Sequence, residues 1–160
     1  MQLKATPEPV WWIDTFTAAA RSLEGNSHYT PRNNEISYQG PLWQFVDREV
    51  RQAIQENWST LAACERWYSG AYLLETMPCI LYILARHGHD PEEAIVRAVN
   101  DTKDNDTIAA IVGAAVGALH GRANLPARWI HALLGRTEAN DDGHIFELIE
   151  AAKQTFWQVE

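Results

Sequence analysis

Apolar residues recur every three or four positions along most of this chain, the spacing that places them on one face of an α-helix. The clearest segments of this kind run from Val10 to Leu23, from Leu42 to Asn57 and from Asp142 to Gln158. A fourth segment, Ala71 to His87, is apolar nearly all round, so we expect it to lie at the centre of the fold and to bend at Pro78. No segment shows the sustained alternation of a strand. The pattern predicts an all-α fold.

Capping residues and prolines mark further helix boundaries. Asp90 and Pro91 form a strong helix start for a segment that ends at Asn100. Pro126 opens another helix, which Gly135 closes. The polar stretch 24–40 fits none of these helices, and a loop of this length is usually either functional or mobile. An ordered surface loop without a ligand is the simpler alternative.

Composition indicates one globular domain over residues 1–160, because 46% of the residues are hydrophobic and seven are Trp. The net charge of −8 argues against binding to nucleic acid or to an anionic membrane, since both require excess Lys and Arg. The longest apolar run, residues 108–119, is far shorter than the ~20 residues that span a bilayer. No signal peptide is visible, so we expect a cytoplasmic protein.

Candidate chemistry is concentrated where an acidic loop enters a helix of small residues. Asp104 and Asp106 are two positions apart, so in an extended loop both carboxylates can point to the same side, and Thr107 adds a hydroxyl. Mg²⁺ and Mn²⁺ prefer such oxygen ligands. The same residues also resemble a helix N-cap, and spacing alone leaves both interpretations open. Further along, Gly113 and Gly117 share one helix face, which predicts close contact with a neighbouring helix backbone.

Three segments carry a resemblance to a known family. The run Thr102-Lys-Asp-Asn-Asp-Thr107 and the small-residue helix after it match a Gly-Gly-Asp-Thr-Asp-Thr-like metal motif. Upstream, Ser69-Gly-Ala-Tyr-Leu-Leu-Glu-Thr76 resembles a Ser-Gly-Tyr-Val-Val-Asp-Thr-like segment with one residue inserted. Downstream, Leu125-Pro-Ala-Arg-Trp-Ile resembles a Pro-x-x-Trp helix. Residues 69–137 thus resemble the C-terminal part of the ADP-ribosylglycohydrolase family.

The resemblance implies specific roles for the matched residues. Asp104, Asp106 and Thr107 take the positions of ligands to Mg²⁺ or Mn²⁺, with two ions in the complete site. Tyr72 takes the position of an aromatic residue that lies against ADP-ribose. The further substrate-binding residues that the match indicates are Ser69, Gly70 and Asn105. No catalytic acid or base is assigned.

Two polar features outside the metal motif have weaker functional interpretations. Loop 24–40 could form the rim of a nucleotide cleft, with Tyr29 or Arg32 in contact with the ligand. Glu75 stands on a mostly apolar helix, and burial there would raise the pKa of a catalytic carboxyl. The simpler expectation is that Glu75 pairs with a nearby Arg or is hydrogen-bonded in the core.

The family's Gly-Asp-Ala-x-Gly and Thr-Asp-Asp segments, which supply the other metal ligands, do not occur in this sequence. We therefore expect either the C-terminal half of a hydrolase, which would need a complementing N-terminal half, or a relative that has given up catalysis. The complete enzyme would hydrolyse the glycosidic bond of ADP-ribose on a modified protein or small-molecule acceptor. The alternative is a non-catalytic helical binding or interaction module that acts through a partner chain.

Overall fold

A computed structural model describes residues 7–129 and 144–157 of the chain. The chain divides into two units, Met1–Asn124 and Leu125–Glu160. Among the described residues the regular elements are helical, and the β pairing is limited to an isolated bridge between Tyr29 and Gly40. The all-α prediction is confirmed. The single domain predicted over residues 1–160 stays a prediction.

Six α-helices form the described part of the first unit. They are α1 (Pro9–Leu23), α2 (Leu42–Gln55), α3 (Thr60–Arg66), α4 (Leu73–His87), α5 (Pro91–Asn100) and α6 (Asn105–His120), followed by a 3₁₀ turn at Arg122–Asn124. In the second unit a helix spans His144–Phe156. The helix predicted between Pro126 and Gly135 lies mostly outside the described residues. In the part of the chain that the structure describes, no helix has the length and apolar character needed to cross a membrane.

Helix α4 lies at the centre of the first unit, as its sequence predicts. Every residue from Pro78 to Ala85 is buried, and the helix contacts the other five helices of this unit. The polar residues Glu75 and Thr76, near its N-terminal end, are buried as well. Because buried polar groups need hydrogen-bond partners, other elements must reach this end of α4.

The N-terminus of α5 is capped as its sequence predicts, whereas the N-terminus of α2 is capped by a residue that the sequence did not indicate. The Asp90 carboxylate accepts hydrogen bonds from the backbone N–H groups of Glu92 and Glu93, both at 3.1 Å, so the predicted start of α5 is confirmed. Helix α2 follows Pro41, which has no side chain able to cap it. The carboxylate of Glu24 caps α2 instead and accepts the N–H groups of its first two residues.

Loop 24–40 is held by polar contacts at both ends and in its middle. The Glu24 cap ties its start to α2. Tyr29 and Gly40 exchange two backbone hydrogen bonds of 2.7 and 3.1 Å. The side-chain amide of Asn33 donates to the carbonyl of Arg66 at the end of α3, at 2.8 Å. The loop is therefore fixed against the helices on both sides of it, which places its Arg32–Glu35 segment beside the end of α3.

The small-residue face of α6 does not meet a neighbouring backbone among the described residues. A Cβ added at Gly117 would meet no atom within 4 Å, and one added at Gly113 would contact only the Ile95 side chain, at 3.9 Å. The predicted close backbone packing is therefore not found within residues 7–129 and 144–157. The contact face of α6 is formed by branched residues spaced four apart, namely Ile108, Val112 and Val116. Each glycine follows a branched residue and is turned about 100° away from that face.

At the C-terminal end of α4, the ring Nε2 of His87 lies 2.8 Å from the hydroxyl of Thr60. Burial lowers the pKa of His87, and the positive charges of Arg86 and Arg97 add to that effect while Glu93 opposes it. The folded protein therefore favours neutral His87. This preference links the free energy of unfolding to pH.

Gly117→Ala should raise the free energy of unfolding by about 0.5–1 kcal/mol, because alanine costs less conformational entropy in a helix and the site has room for a methyl group. Urea unfolding measures this change. Gly88→Ala is the matched control and should destabilise, since its Cβ would lie 2.4 Å from the carbonyl oxygen of Leu84. A Gly117→Ala variant less stable than the parent would show that another segment occupies this space.

Acidification should remove the stability contributed by neutral His87. The pKa of His87 is lower in the folded than in the unfolded chain, so the contribution is complete above the usual value of about 6.5 and is lost as pH falls from there toward the folded pKa. Urea unfolding at pH 7.5 and 5.5 tests this. His87→Gln, which can still hydrogen-bond Thr60 but does not titrate, should lose less stability between the two pH values than the parent. Equal losses would contradict the assignment.

Candidate functional site

Two loops distant in sequence meet beside the N-terminus of α6. One is the turn between α3 and α4, which contains the buried residue Ser69, and the other is the acidic loop between α5 and α6. The carbonyl of Ser69 accepts the N–H of Asp104 at 2.9 Å. The Ser69 hydroxyl accepts the N–H of Lys103 at 3.2 Å. The structure thus brings together two site residues that the resemblance takes from separate motifs.

The carboxylate of Asp104 does not cap α6, although Asp104 stands at the N-cap position. Its Oδ1 accepts a hydrogen bond from the Thr107 hydroxyl at 3.2 Å. Its Oδ2 is buried without a hydrogen-bond partner among the described residues. A buried, unsatisfied carboxylate oxygen is costly, and a cation would satisfy it. Asp104 and Thr107 therefore fit a divalent metal, and their assignment as ligands stays a prediction.

The remaining residues of the predicted metal motif are exposed. Asp106 accepts the backbone N–H of Thr107 at 2.9 Å, so a local hydrogen bond occupies one of its oxygens. Asn105 is exposed as well. Within residues 7–129 and 144–157, no group of three or more His, Cys, Asp or Glu side chains is arranged to hold a metal ion. An octahedral ion needs about six oxygen ligands, so these residues amount to part of a metal centre.

Glu75 pairs with Arg32, as the simpler sequence interpretation expects. The Arg32 guanidinium donates from Nε to Oε1 and from Nη2 to Oε2, both at 2.7 Å. Glu75 is 2% exposed, whereas the Arg32 side chain is 59% exposed. The hydrogen bonds to Glu75 raise the pKa of Arg32. Both oxygens of Glu75 are therefore engaged, and its carboxylate orients the Arg32 guanidinium.

Tyr72 and Gly70 both lie against the Arg32–Glu75 ion pair. The Arg32 guanidinium carbon lies 5.1 Å from the centre of the Tyr72 ring, and the Tyr72 hydroxyl donates to the carbonyl of Thr30 at 3.2 Å. Tyr72 thus packs on loop 24–40. A Cβ at Gly70 would lie 2.5 Å from Oε2 of Glu75, so a larger residue would disturb the pair.

A cavity of about 650 Å³ opens between loop 24–40 and the turn after α3. It is lined by Arg32, Asn33, Asn34, Glu35 and Tyr68. Its size lies in the range of small-molecule binding sites. The cavity adjoins the acidic loop, because the ammonium group of Lys103 lies 3.5 Å from the centre of the Tyr68 ring.

Comparison with known protein families gives a match over most of the sequence. The model of the ADP-ribosylglycohydrolase family matches residues 12–157. This chain belongs to the ADP-ribosylglycohydrolase family. The match extends well beyond residues 69–137 and includes loop 24–40 and its cavity-lining residues. No curated protein and no solved structure matches the chain.

Sequence analysis missed Tyr68, which lines the cavity. Tyr68 stands one residue before the segment that carries the resemblance. Its backbone φ is +72°, a conformation that a tyrosine rarely adopts and that its residue type does not predict. An aromatic residue directly before the Ser69-Gly70 segment was the available signal. The identification of Arg32 as a residue of the cleft rim, in contrast, came from the composition of the loop.

Asp104→Asn should abolish the Mn²⁺ response that we expect from the predicted metal site. In metal-free buffer we expect the variant to unfold at no lower temperature than the parent, because an amide costs less to bury than a carboxylate. Mn²⁺ at a hundredfold excess over its dissociation constant should stabilise the parent by about 2.7 kcal/mol and leave the variant unchanged. Differential scanning calorimetry with and without Mn²⁺ measures both effects.

Asp101→Asn is the control for the loss of one negative charge nearby. Asp101 lies at the end of α5, 3.5 Å from Arg97, and its carboxylate is taken up by that ion pair. This variant should lose stability and keep the Mn²⁺ response. An Mn²⁺ response that survives in Asp104→Asn would place the metal elsewhere.

Proposed function

We propose that this chain forms one wall of a metal-dependent site that hydrolyses ADP-ribosyl glycosidic bonds. The observation that carries the proposal is the buried Oδ2 of Asp104, which has no hydrogen-bond partner in residues 7–129 and 144–157 and belongs to a carboxylate that accepts the Thr107 hydroxyl, in a chain of the ADP-ribosylglycohydrolase family. A carboxylate oxygen left without a partner at a loop is uncommon in folded proteins, and binding a cation is a physical reason to keep it.

The proposed metal ligands are Asp104, Asp106 and Thr107, and the ion is Mg²⁺ or Mn²⁺. A divalent cation held there would polarise the ribose hydroxyls and orient a water molecule toward the anomeric carbon. These three residues offer about half of the oxygens that one octahedral ion requires. We propose that a complementing N-terminal half supplies the ligands of the opposite wall and with them a second ion.

The proposed substrate site is the cavity between loop 24–40 and Tyr68. ADP-ribose carries a negatively charged pyrophosphate, and a chain of net charge −8 must offset that charge locally. Arg32 lines the cavity with its guanidinium oriented by Glu75, and Lys103 lies beside Tyr68. A guanidinium held in one orientation loses little freedom when it binds an oxyanion. The acceptor would be a modified protein or a small molecule.

A non-catalytic binding module is the second candidate. It would use the same cavity for an ADP-ribose-like ligand and would need no second set of metal ligands. Support for it comes from the incomplete ligand set in the described residues. Turnover distinguishes the two candidates, because binding alone does not release the acceptor.

The chain alone should not release ADP-ribose from ADP-ribosylated arginine or serine peptides. Adding an N-terminal half that carries the Gly-Asp-Ala-x-Gly and Thr-Asp-Asp segments should produce turnover, since ligands from two walls are needed to orient both ribose and water. A release assay with and without that half, in Mn²⁺, measures this. Metal-dependent turnover by the chain alone, lost in Asp106→Asn, would make it a complete hydrolase. No turnover with any complementing half would favour the binding module.

Arg32→Gln should weaken ADP-ribose binding about tenfold or more, because a charge-assisted contact is worth about 1.5–3 kcal/mol. It should also destabilise the fold, because the Glu75 carboxylate would stay buried without its partner.

The double variant Arg32→Gln with Glu75→Gln separates the two effects. It removes the unpaired charge, so it should regain stability while the affinity stays low. Titration calorimetry with ADP-ribose and urea unfolding measure affinity and stability. If affinity returned together with stability in the double variant, Arg32 would act only through the fold.

A further inference from the structure

Two consecutive residues before α4 hold a backbone conformation that side chains disfavour. Tyr68 has φ +72° and Ser69 has φ +46°, and neither is a glycine. Such left-handed conformations are costly for residues with a Cβ and persist where surrounding contacts fix them. The strain at Ser69 therefore indicates that contacts of this residue compensate for it.

Those contacts reach the acidic loop. Ser69 is 2% exposed and directs two acceptors at consecutive N–H groups, its carbonyl at Asp104 and its hydroxyl at Lys103, at 2.9 and 3.2 Å. The following carbonyl, that of Gly70, accepts the Thr76 hydroxyl at 2.8 Å, which anchors the turn to α4. The turn at Ser69 and Gly70 thus connects α4, through Gly70, to the backbone of Lys103 and Asp104, through Ser69.

This connection affects where the Asp104 carboxylate can go. An aspartate at an N-cap normally accepts the N–H of the second or third helical residue. Asp104 instead has φ −87° and ψ 58° and makes no cap bond, and its Oδ2 has no partner in the part of the chain that the structure describes. Ser69 holds the N–H of Asp104 and the N–H of Lys103. These two bonds fix the backbone that carries the Asp104 side chain in an arrangement without the usual N-cap hydrogen bond.

We propose that Ser69 is a positioning residue for Asp104. Its left-handed backbone holds the acidic loop in an arrangement that keeps the carboxylate off the helix N-terminus and open to a divalent cation. The inference rests on the proposed metal function. The positioning role requires no contact between Ser69 and a substrate, because Ser69 is buried and both its oxygens are engaged within the protein. The substrate-binding role expected from the resemblance stays a prediction.

Ser69→Gly and Ser69→Ala test the proposal as a pair. Both remove the hydroxyl that holds Lys103, but only glycine relieves the left-handed strain, so Ser69→Gly should be the more stable variant. We expect both to bind Mn²⁺ about tenfold more weakly than the parent, as measured by the electron paramagnetic resonance signal of free Mn²⁺. If Ser69 only stabilised the fold, the less stable Ser69→Ala would lose more Mn²⁺ affinity than Ser69→Gly. Equal losses of affinity at unequal stability support the positioning role.

Asn57→Gly is the matched control for strain relief. Asn57 has φ +52° and lies at the end of α2, so glycine there should leave the Mn²⁺ affinity unchanged. Amide hydrogen exchange in metal-free protein gives a second readout. The N–H groups of Lys103 and Asp104 should be protected in the parent, and Lys103 should lose protection in both Ser69 variants.

The outcomes separate the two proposals. If Asp104→Asn lowers the Mn²⁺ affinity and a folded Ser69→Gly does not, the positioning role is wrong and the metal site stands. If the parent has no Mn²⁺ site sensitive to Asp104→Asn, the metal site and the positioning role both fail. Unprotected Lys103 and Asp104 amides in the parent would overturn the positioning role without any variant.

Discussion

The burial of α4 is the constraint on which the rest of the first unit depends. A helix that is apolar on all sides can be surrounded by other helices, but the polar groups at its N-terminal end are then buried with it. Each of them takes a partner from elsewhere in the chain. Glu75 takes Arg32 from loop 24–40, and Thr76 takes the carbonyl of Gly70. The cavity and the strained turn are both arranged around these partners.

Local sequence signals account for much of the fold. The periodicity of α1 and α2, the all-round apolar character of α4 and the Asp90 cap all appear in the structure because each depends on residues within a few positions. Helix α3 has seven residues and is too short for its periodicity to stand out. The Glu24 cap of α2 joins groups 18 residues apart, which no local pattern reveals.

The candidate site divides in the same way. The contact between Asp104 and Thr107 lies inside one motif, so the resemblance could place both residues together. The bonds from Ser69 span 34 residues or more, and the left-handed conformation of Ser69 has no signal in its residue type. At Gly117 the sequence suggested a contact that the described residues do not show. Its spacing predicted packing against a neighbouring helix, but the buried face of α6 is formed by the branched residues. Spacing defines a helix face but not the neighbour that the face meets.

The way loop 24–40 is fastened also bears on the order in which the protein assembles. Besides the internal bridge between Tyr29 and Gly40, three anchors reach other elements: the start of α2, the end of α3 and Glu75 of α4. These three anchors can form only once the helices that carry their partners are in place, and on local opening the loop can detach while the helices stay packed. Release of Arg32 from Glu75 in such an opening would detach one wall of the cavity without unpacking the helices that carry it.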